Sequence, residues 1–288
     1  MKVSKVWDGT DPGATPGRVF TASIGQETIV RSGDELSFLK IGVEGLESTT
    51  AVVIETFAGL LSEYVLRIGA VERIVLNVAD MCALMMFYFK ELPVIGESAA
   101  ATDYCFIGGV KVPVYAKVSE ATPISHAATR TAQTNITVET LSVSGYWDAG
   151  EAGRKPIHAV KVSHTTAASA GIETLSFRIA PLGTLIGLII RQVAASDFGS
   201  DNIDISVQRV RILANGVLHS QFNALGDRMN IAEIDYVTPS PLADLLRPYT
   251  ILDLRPSGID AKGQELNVQL DVQDVSDAIS IIPVIEMA

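Results

Sequence analysis

Two histidines near the middle of the chain have a spacing that suits a shared metal ion. His158 and His164 are six residues apart, and side chains separated by an even number of positions in one strand lie on the same face. A metal could bind there if a third ligand arrived from elsewhere in the fold. The alternative is a pair of surface histidines near a domain junction. We favour the alternative because the four histidines of the chain are scattered.

An acidic run offers a second candidate metal site. The segment Asp197–Asp204 reads Asp-Phe-Gly-Ser-Asp-Asn-Ile-Asp and brings three carboxylates and one amide into a loop-like setting. Calcium takes oxygen ligands of this kind, but the EF-hand loop needs a glycine at its sixth position and a glutamate at its twelfth. The run does not have that spacing. We therefore favour a solvated turn between two strands.

Signatures of catalysis are missing from the sequence. It contains no Gly-x-x-x-x-Gly-Lys-Ser/Thr loop, no Gly-x-Ser-x-Gly elbow and no His-Glu-x-x-His pair. These patterns place a phosphate-binding loop, a nucleophilic serine and a zinc site, respectively. We therefore predict no enzyme, and no catalytic, cofactor-binding or metal-binding residues.

The remaining distinctive residues have packing interpretations. Cys82 and Cys105 each lie in an apolar stretch, which favours buried free thiols over a disulfide. Trp7 and Trp147 favour packing over carbohydrate stacking, because aromatic residues are only 6% of the chain. The most apolar stretch, Met81–Phe89, is either a core helix or a patch buried at a subunit contact, since methionine and aromatic residues are enriched at interface cores.

Composition limits the classes of function. The chain has 288 residues, of which 48% are apolar and 19% charged, so it can form a substantial core. Its net charge of −11 argues against direct nucleic-acid binding, which needs a basic surface. The longest apolar runs fall short of the roughly 20 residues that a spanning helix needs, and we expect neither a signal peptide nor an integral membrane protein.

Short apolar segments, bounded by Gly, Pro, Asp and Ser, predict strands throughout the chain. The predicted strands are Val19–Ile24, Leu36–Val43, Val52–Phe57, Val110–Val118, Ile136–Val143, Thr174–Ile179, Leu185–Val193, Ile203–Leu213, Leu266–Val272 and Ile279–Ile285. Two segments break this pattern and predict short helices, Asp80–Glu91 and Pro239–Arg247. The best domain boundary is the Gly-, Pro- and charge-rich segment Tyr146–Pro156.

The two halves of the chain resemble each other. A shift of 157 residues places Val53 on Val210, Gly59 on Gly216, Leu61 on Leu218, Ile68 on Leu225 and Gly69 on Gly226. The alternating strand Ile136–Val143 is matched with Leu266–Val272 because each lies late in its half of the chain. We predict an arm at residues 1–17 followed by two domains, residues 18–149 and 150–288.

Each half has room for about eight short strands and one helix, which is typical of a Greek-key sandwich. The predicted fold is all-β, with two tandem eight-stranded jelly rolls (β-sandwich or barrel) and a short helix in each. An immunoglobulin-type sandwich is the competitor, but its Cys…Trp…Cys spacing is absent.

The repeated segments also resemble a known family. A segment with valine, glycine and leucine at matched positions, running straight into a short amphipathic segment, occurs once per half. In the second half, Ile179–Ile190 followed by Val207–Phe222 looks like the opening strands of a jelly roll. This pattern resembles the double jelly-roll major capsid proteins of tailless icosahedral viruses with an internal membrane, of corticovirus and tectivirus type.

The resemblance implies a structural protein of a bacteriophage virion. Three chains would form a homotrimer with a pseudo-hexameric outline, and the trimers would tile an icosahedral shell over an internal membrane. The implied partners are other copies of the chain, neighbouring capsomers, penton and minor capsid proteins, and the lipid surface below. Assembly would take place in the host cytoplasm, without direct nucleic-acid binding.

Three other functions stay open at this point. The chain is alternatively a minor capsid, vertex or spike protein, which the copy number in a particle would distinguish. A tandem β-sandwich binding module, such as a lectin or adhesin, predicts exposed aromatic residues in a groove and a monomer in solution. A two-domain cupin enzyme would need clustered histidines, which this sequence does not supply.

Overall fold

The structure is a computed structural model, and it describes most of the chain as two compact units, Met1–His158 and Ala159–Ala288. The described residues are 2–10, 19–23, 35–47, 54–96, 104–117, 124–131, 136–148, 154–167, 169–177, 183–192, 207–223, 246, 248–255, 258–260, 265–273 and 278–287. The chain passes from one unit to the other within strand β10, Ile157–Val160.

The first unit contains two β-sheets and two helices. Its elements are β1 (Lys2–Thr10), β2 (Val19–Ser23), β3 (Glu35–Glu47), α1 (Ile54–Gly59), β4 (Leu61–Ile68), β5 (Val71–Leu76), α2 (Val78–Phe89), β6 (Val94–Ile95), β7 (Tyr104–Lys117), β8 (Ile124–Arg130) and β9 (Ile136–Asp148). One sheet has the strand order β1-β9-β3-β7-β6, and the other runs β5-β4-β8-β2. All of these pairs are antiparallel.

The second unit repeats this plan. Its strands are β11 (Val162–Thr165), β12 (Gly171–Phe177), β13 (Gly183–Gln192), β14 (Val207–Ala214), β15 (Val217–Asn223), β16 (Tyr249–Asp253), β17 (Ile259–Asp260), β18 (Leu266–Val272) and β19 (Ala278–Met287). One sheet runs β16-β13-β19-β11, with β17 also paired to β13. The other sheet runs β12-β18-β14-β15.

Strand pairing shows which strands of the two units are equivalent. In the first sheet of the first unit, the central strand β3 lies between β9 and β7. In the first sheet of the second unit, the central strand β13 lies between β19 and β16. In the second sheet, β5-β4-β8-β2 corresponds to β15-β14-β18-β12. The chain alternates between the two sheets of a unit, which is the connectivity of an eight-stranded jelly roll. The fold is therefore all-β with two jelly rolls in tandem, as the sequence predicted.

The core of the second unit lies between its two sheets. Two buried side chains of β13, Leu188 and Ile190, belong to one hydrophobic cluster with Val210 and Ile212 of β14. The burial of β18 alternates strictly along Leu266–Val272, with every second residue inside. This period-two pattern is what made β18 recognisable in the sequence, since one face of the strand is buried and the other is not.

Most predicted strands overlap an observed strand, but one is wrong. Val52–Phe57 was predicted to be a strand, whereas Ile54–Gly59 forms α1. Periodicity cannot separate a six-residue apolar strand from a short buried helix, and Phe57 and Ala58 are both buried here. The predicted helix Asp80–Glu91 is confirmed by α2. Its N-cap is Asn77, whose Oδ1 accepts a hydrogen bond from the Asp80 amide at 2.8 Å.

Other sequence predictions meet the structure only in part. Of the segment 1–17, residues 2–10 form β1, which pairs along β9, and residues 11–17 lie outside the described residues. The predicted helix Pro239–Arg247 also lies outside them, apart from Leu246. The compact units divide after His158, later than the predicted boundary at residue 149.

The internal repeat is real in topology, but its predicted register is wrong. The shift of 157 residues places α1 on strand β14, so Gly59 and Gly216 are not equivalent. The hairpin β4–β5 turns at Gly69, with φ of 64°, and its counterpart β14–β15 turns at Asn215 and Gly216, with φ of 49° and 78°. Likewise β9 corresponds to β19, and β18 corresponds to β8. The sequence comparison therefore matched β9 with β18, whereas the strand equivalent to β9 is the next one along the chain, β19.

Candidate functional site

The structure places the two candidate histidines, His158 and His164, on different strands. His158 lies in β10 and His164 in β11, and the two strands are separated at Lys161, so the residues do not share one strand. His164 Nε2 lies 2.5 Å from Glu173 Oε2. The Glu173 pKa is lowered, although burial opposes the shift, because its carboxylate accepts hydrogen bonds from the Ala167 amide and from His164. Within the described residues no group of three or more His, Cys, Asp or Glu side chains is placed to hold a metal.

Several sequence candidates cannot be located. The acidic run Asp197–Asp204 lies outside the described residues. The backbone of Trp7 lies in β1 and that of Cys105 in β7, but their side chains are not among those described. These candidates stay predictions.

Two packing predictions are confirmed in the first unit, and one question that the sequence left open is answered. Trp147 is fully buried in β9. Cys82 is a buried free thiol whose pKa is raised, first by burial and then by the charge of Asp80. The stretch Met81–Phe89 belongs to α2, in which every residue from Val78 to Phe87 is buried. This stretch is thus a core helix, which decides between the two interpretations that its composition left open.

A cavity of about 460 Å³ opens on the outer face of the first unit's β1-β9-β3-β7-β6 sheet. Along β3 the side chains of Leu39, Ile41 and Val43 are buried, whereas Lys40 is exposed and Gly42 is half-buried on the other face. We call this cavity the outer groove. It is lined by Lys40, Ile41, Gly42, Met85, Glu91, Leu92, Val94, Phe106, Gly109, Val110, Lys111, Ser142 and Ser144.

The apolar part of the outer groove is exposed to an unusual degree. Val94 is 59% exposed and Phe106 is 40% exposed, although both are large hydrophobic residues. The Phe106 ring lies over two glycines of the sheet, because a Cβ atom on Gly109 would be 3.2 Å from its Cζ and one on Gly42 would be 3.8 Å from its Cε2. The missing side chains at these glycines make room for the ring on the sheet.

The polar part of the outer groove contains two lysines in different electrostatic settings. The Lys111 ammonium forms an ion pair with Glu91 and lies 5.5 Å from the centroid of the Phe38 ring, so its charge is satisfied. Lys40 forms no ion pair with any of the described residues. Ser142 Oγ donates a hydrogen bond to the Gly42 carbonyl at 3.4 Å. As far as the structure describes the chain, the outer groove therefore presents one cation without an ion pair beside an apolar surface.

A second group of charged residues lies at one end of the same sheet. Glu35 is the direct cross-strand partner of both Lys117 on β7 and Asp148 on β9. The Glu35 side chain is fully buried, and neither of its carboxylate oxygens has a hydrogen-bond partner among the described residues. Burial raises its pKa, and the negative charge of Asp148 adds to the rise, whereas Arg154 and Lys117 oppose it. The Asp148 carboxylate, unlike that of Glu35, accepts a hydrogen bond, which Ser37 Oγ donates at 2.8 Å.

The raised pKa of Glu35 predicts a pH-dependent stability. The stability that Glu35 contributes to the fold is fully present below the pKa of glutamic acid in the unfolded chain. This stability is lost as the pH rises through the pKa of Glu35 in the folded protein. We expect Glu35→Gln to be more stable than wild type by about 1 kcal/mol at pH 7, because it removes a buried charge without hydrogen bonds. The difference should vanish near pH 4. Denaturant unfolding at both pH values measures it, with Glu44→Gln on the exposed face of β3 as control. An equal difference at both pH values would contradict this assignment.

Sequence reasoning did not find the outer groove. Its side chains come from β3, β6, β7, β9 and the end of α2, which are far apart in the chain. The only available signal was the glycine pair Gly108-Gly109 directly before the predicted strand Val110–Val118, because glycine in a strand often marks a close approach of another chain segment.

Comparison with solved structures identifies the fold. The chain is similar to the major capsid protein P2 of bacteriophage PM2, with a TM-score of 0.60 and 9% identity over 98% of each chain. It is also similar to the major capsid protein of Sulfolobus Turreted Icosahedral Virus, with a TM-score of 0.66 and 11% identity over 100% of this chain and 97% of that one. The capsid of the virus PBCV-1 gives a TM-score of 0.56 and 9% identity over 100% and 95%.

These likenesses define the fold class. The chain has the double jelly-roll fold found in the major capsid proteins of icosahedral viruses. It matches no protein-family model, and no curated protein is similar to it in sequence. In the described part of the chain, no helix has both the length and the apolarity needed to cross a bilayer.

Proposed function

We propose that this protein is a viral major capsid protein that assembles as a pseudo-hexameric homotrimer into an icosahedral shell. The observation that carries the proposal is the extent of the structural match. Both jelly rolls are matched in one chain, over 98% of this protein and 98% of the bacteriophage PM2 major capsid protein. Because sequence identity is only 9%, the shared feature is the succession of two jelly rolls in one chain.

Assembly into closed rings follows naturally from this arrangement. Each chain has two similar jelly rolls, so a ring of three chains would contain six similar units. Closed symmetry of this kind lets a homo-oligomer form without open-ended growth. The proposed role is structural, without catalysis, cofactor or metal.

The proposal includes partners and a location. Trimers would contact neighbouring capsomers and the penton and minor capsid proteins of the shell. The inner surface of the shell would face an internal membrane, and the chain would bind no nucleic acid directly. The protein would be part of the virion and would assemble in the host cytoplasm. We also propose that the two jelly-roll domains are divided near residue 149, with residues 150–288 forming the second. The first domain includes β1, because β1 pairs with β9.

The mass of the purified protein in solution tests the proposal. Sedimentation velocity is expected to give three times the chain mass of 30.7 kDa. In purified particles, this chain should be the dominant protein by mass. A chain that stays monomeric at all concentrations and binds sugars would overturn the proposal in favour of a lectin. A chain present at a few copies per particle would identify a vertex or spike protein instead.

A further inference from the structure

The outer groove has the character of an uncovered contact surface. Among the described residues of the first unit, the exposed large hydrophobic side chains are Val71, Val94 and Phe106, and the last two both line this groove. Clustered apolar exposure of this kind marks an interaction site more often than scattered exposure does. The Lys40 ammonium, which forms no ion pair with any described residue, lies beside these side chains. A complementary partner would therefore present apolar side chains next to a negative charge.

The second unit carries a projection with that combination. The hairpin β14–β15 turns through Asn215 and Gly216, both of which have positive φ, as a tight two-residue hairpin turn requires. Directly after the turn, Val217 is 70% exposed and Leu218 is 51% exposed. The turn therefore ends in an apolar tip that the described part of the second unit does not cover.

A carboxylate is fixed beside this tip. The Asn215 amide donates a hydrogen bond to the Glu265 carbonyl at 3.1 Å. In return, the Glu265 amide donates one to Asn215 Oδ1 at 3.3 Å. These two bonds hold the backbone of Glu265 against the turn, and its side chain is exposed. The tip of the hairpin thus brings Val217, Leu218 and one negative charge together.

We propose that the β14–β15 hairpin tip of one copy docks into the outer groove of a second copy. Val217 and Leu218 would cover Val94 and Phe106, and Glu265 would pair with Lys40. This inference rests on the proposed self-assembly and names its contact. The two surfaces come from different units, so the contact is heterologous, and such contacts generate rings when the rotation closes.

Charge complementarity is the reason to assign a second copy as the occupant. Each chain has a net charge of −11, so copies repel one another unless cations at the contact pair with carboxylates. The chain has 33 acidic and only 22 basic residues, so many carboxylates have no cation to pair with. Few lysines are therefore free to pair with a carboxylate of another copy, and Lys40 is one of them among the described residues. Glu265 is a suitable partner for Lys40, because exposed apolar side chains lie beside Glu265 as they do beside Lys40.

A charge-swap experiment tests the contact. The variants are Lys40→Glu, Glu265→Lys and the double variant, with the full-length chain throughout. Each single variant is expected to weaken association by about tenfold or more, because each places like charges opposite each other. The double variant should return to within about threefold of wild type. Leu218→Asp should weaken association through loss of the apolar tip, whereas Ile172→Asp, at a side chain 58% exposed elsewhere on the second unit, should not.

The outcomes separate this inference from the proposed function. Sedimentation velocity over a range of concentrations measures association, and circular dichroism checks that each variant is folded. If wild type is a trimer and both single charge variants associate normally, the contact is wrong and the capsid proposal stands. If both single variants are weakened but the double variant is not restored, the two charges do not face each other and the pairing is wrong. A wild-type monomer at all concentrations would overturn both.

Discussion

Replacing Trp147 by alanine is expected to lower the free energy of unfolding of the first unit by about 3–5 kcal/mol, the usual cost of truncating a large buried aromatic side chain. Trp147 is fully buried and is among the largest such side chains in the described residues. It lies on β9, which is paired on both sides, to β1 and to β3. Its direct partner on β3 is Leu36, which is also fully buried.

The position of Trp147 in the sheet explains why this cost cannot be relieved easily. A strand that is paired on both edges cannot shift to fill a cavity without breaking ladder hydrogen bonds, and unrelieved cavities carry the larger penalties. Tyr146→Ala is the matched control, because the Tyr146 ring lies on the other face of β9 and stacks on Phe38 at 4.4 Å. It should cost less than half as much.

Calorimetry can measure the Trp147 effect without using tryptophan fluorescence. The chain has two units, so the unfolding of each must be resolved before a free energy is assigned. A loss below about 1 kcal/mol for Trp147→Ala, or a loss no larger than that of Tyr146→Ala, would show that the core around β9 rearranges to fill the space. The expected loss is large enough to reduce the yield of assembled particles, since it is a sizeable part of a domain's stability.

Much of the fold could be predicted from the sequence because half-buried strands have a period of two. The alternation of Leu266–Val272 gave β18 with its observed bounds. The apolar helix α2 was found because its continuous run of apolar residues breaks the alternating pattern of the strands around it. Both features are local, and the sequence determines them without knowledge of the partner strands.

The register of the repeat could not be predicted in this way. Gly59, Gly69 and Gly216 look alike in a sequence, although Gly59 ends a helix and the other two make hairpin turns. Only the strand pairing shows that the turn at Gly69 corresponds to that at Asn215 and Gly216. The outer groove was hidden for a related reason. Lys40, Lys111 and Ser142 meet only because β3 pairs with both β7 and β9.

Replacing Gly96 by alanine is expected to lower the free energy of unfolding of the first unit by about 3 kcal/mol, the upper end of the usual cost of overpacking. A Cβ atom at Gly96 would lie 1.6 Å from the Phe106 carbonyl oxygen and 2.7 Å from its carbonyl carbon. Both atoms belong to the backbone, so no side-chain rotation relieves the clash. The Gly96 amide also donates a hydrogen bond to the Ile107 carbonyl at 3.1 Å, which holds the two segments together.

The same substitution is expected to weaken association of the chain, because β7 must move at Phe106, whose ring lines the outer groove. Gly42→Ala is the matched control in the same groove. Its Cβ would meet the Ser142 hydroxyl at 3.0 Å, and that side chain can rotate away, so the stability of this variant should stay near wild type. Denaturant unfolding and sedimentation velocity measure the two effects. If Gly96→Ala were destabilised but associated as wild type does, Phe106 would lie outside the contact between copies. If Gly96→Ala and Gly42→Ala were equally stable, β6 would not approach β7 this closely.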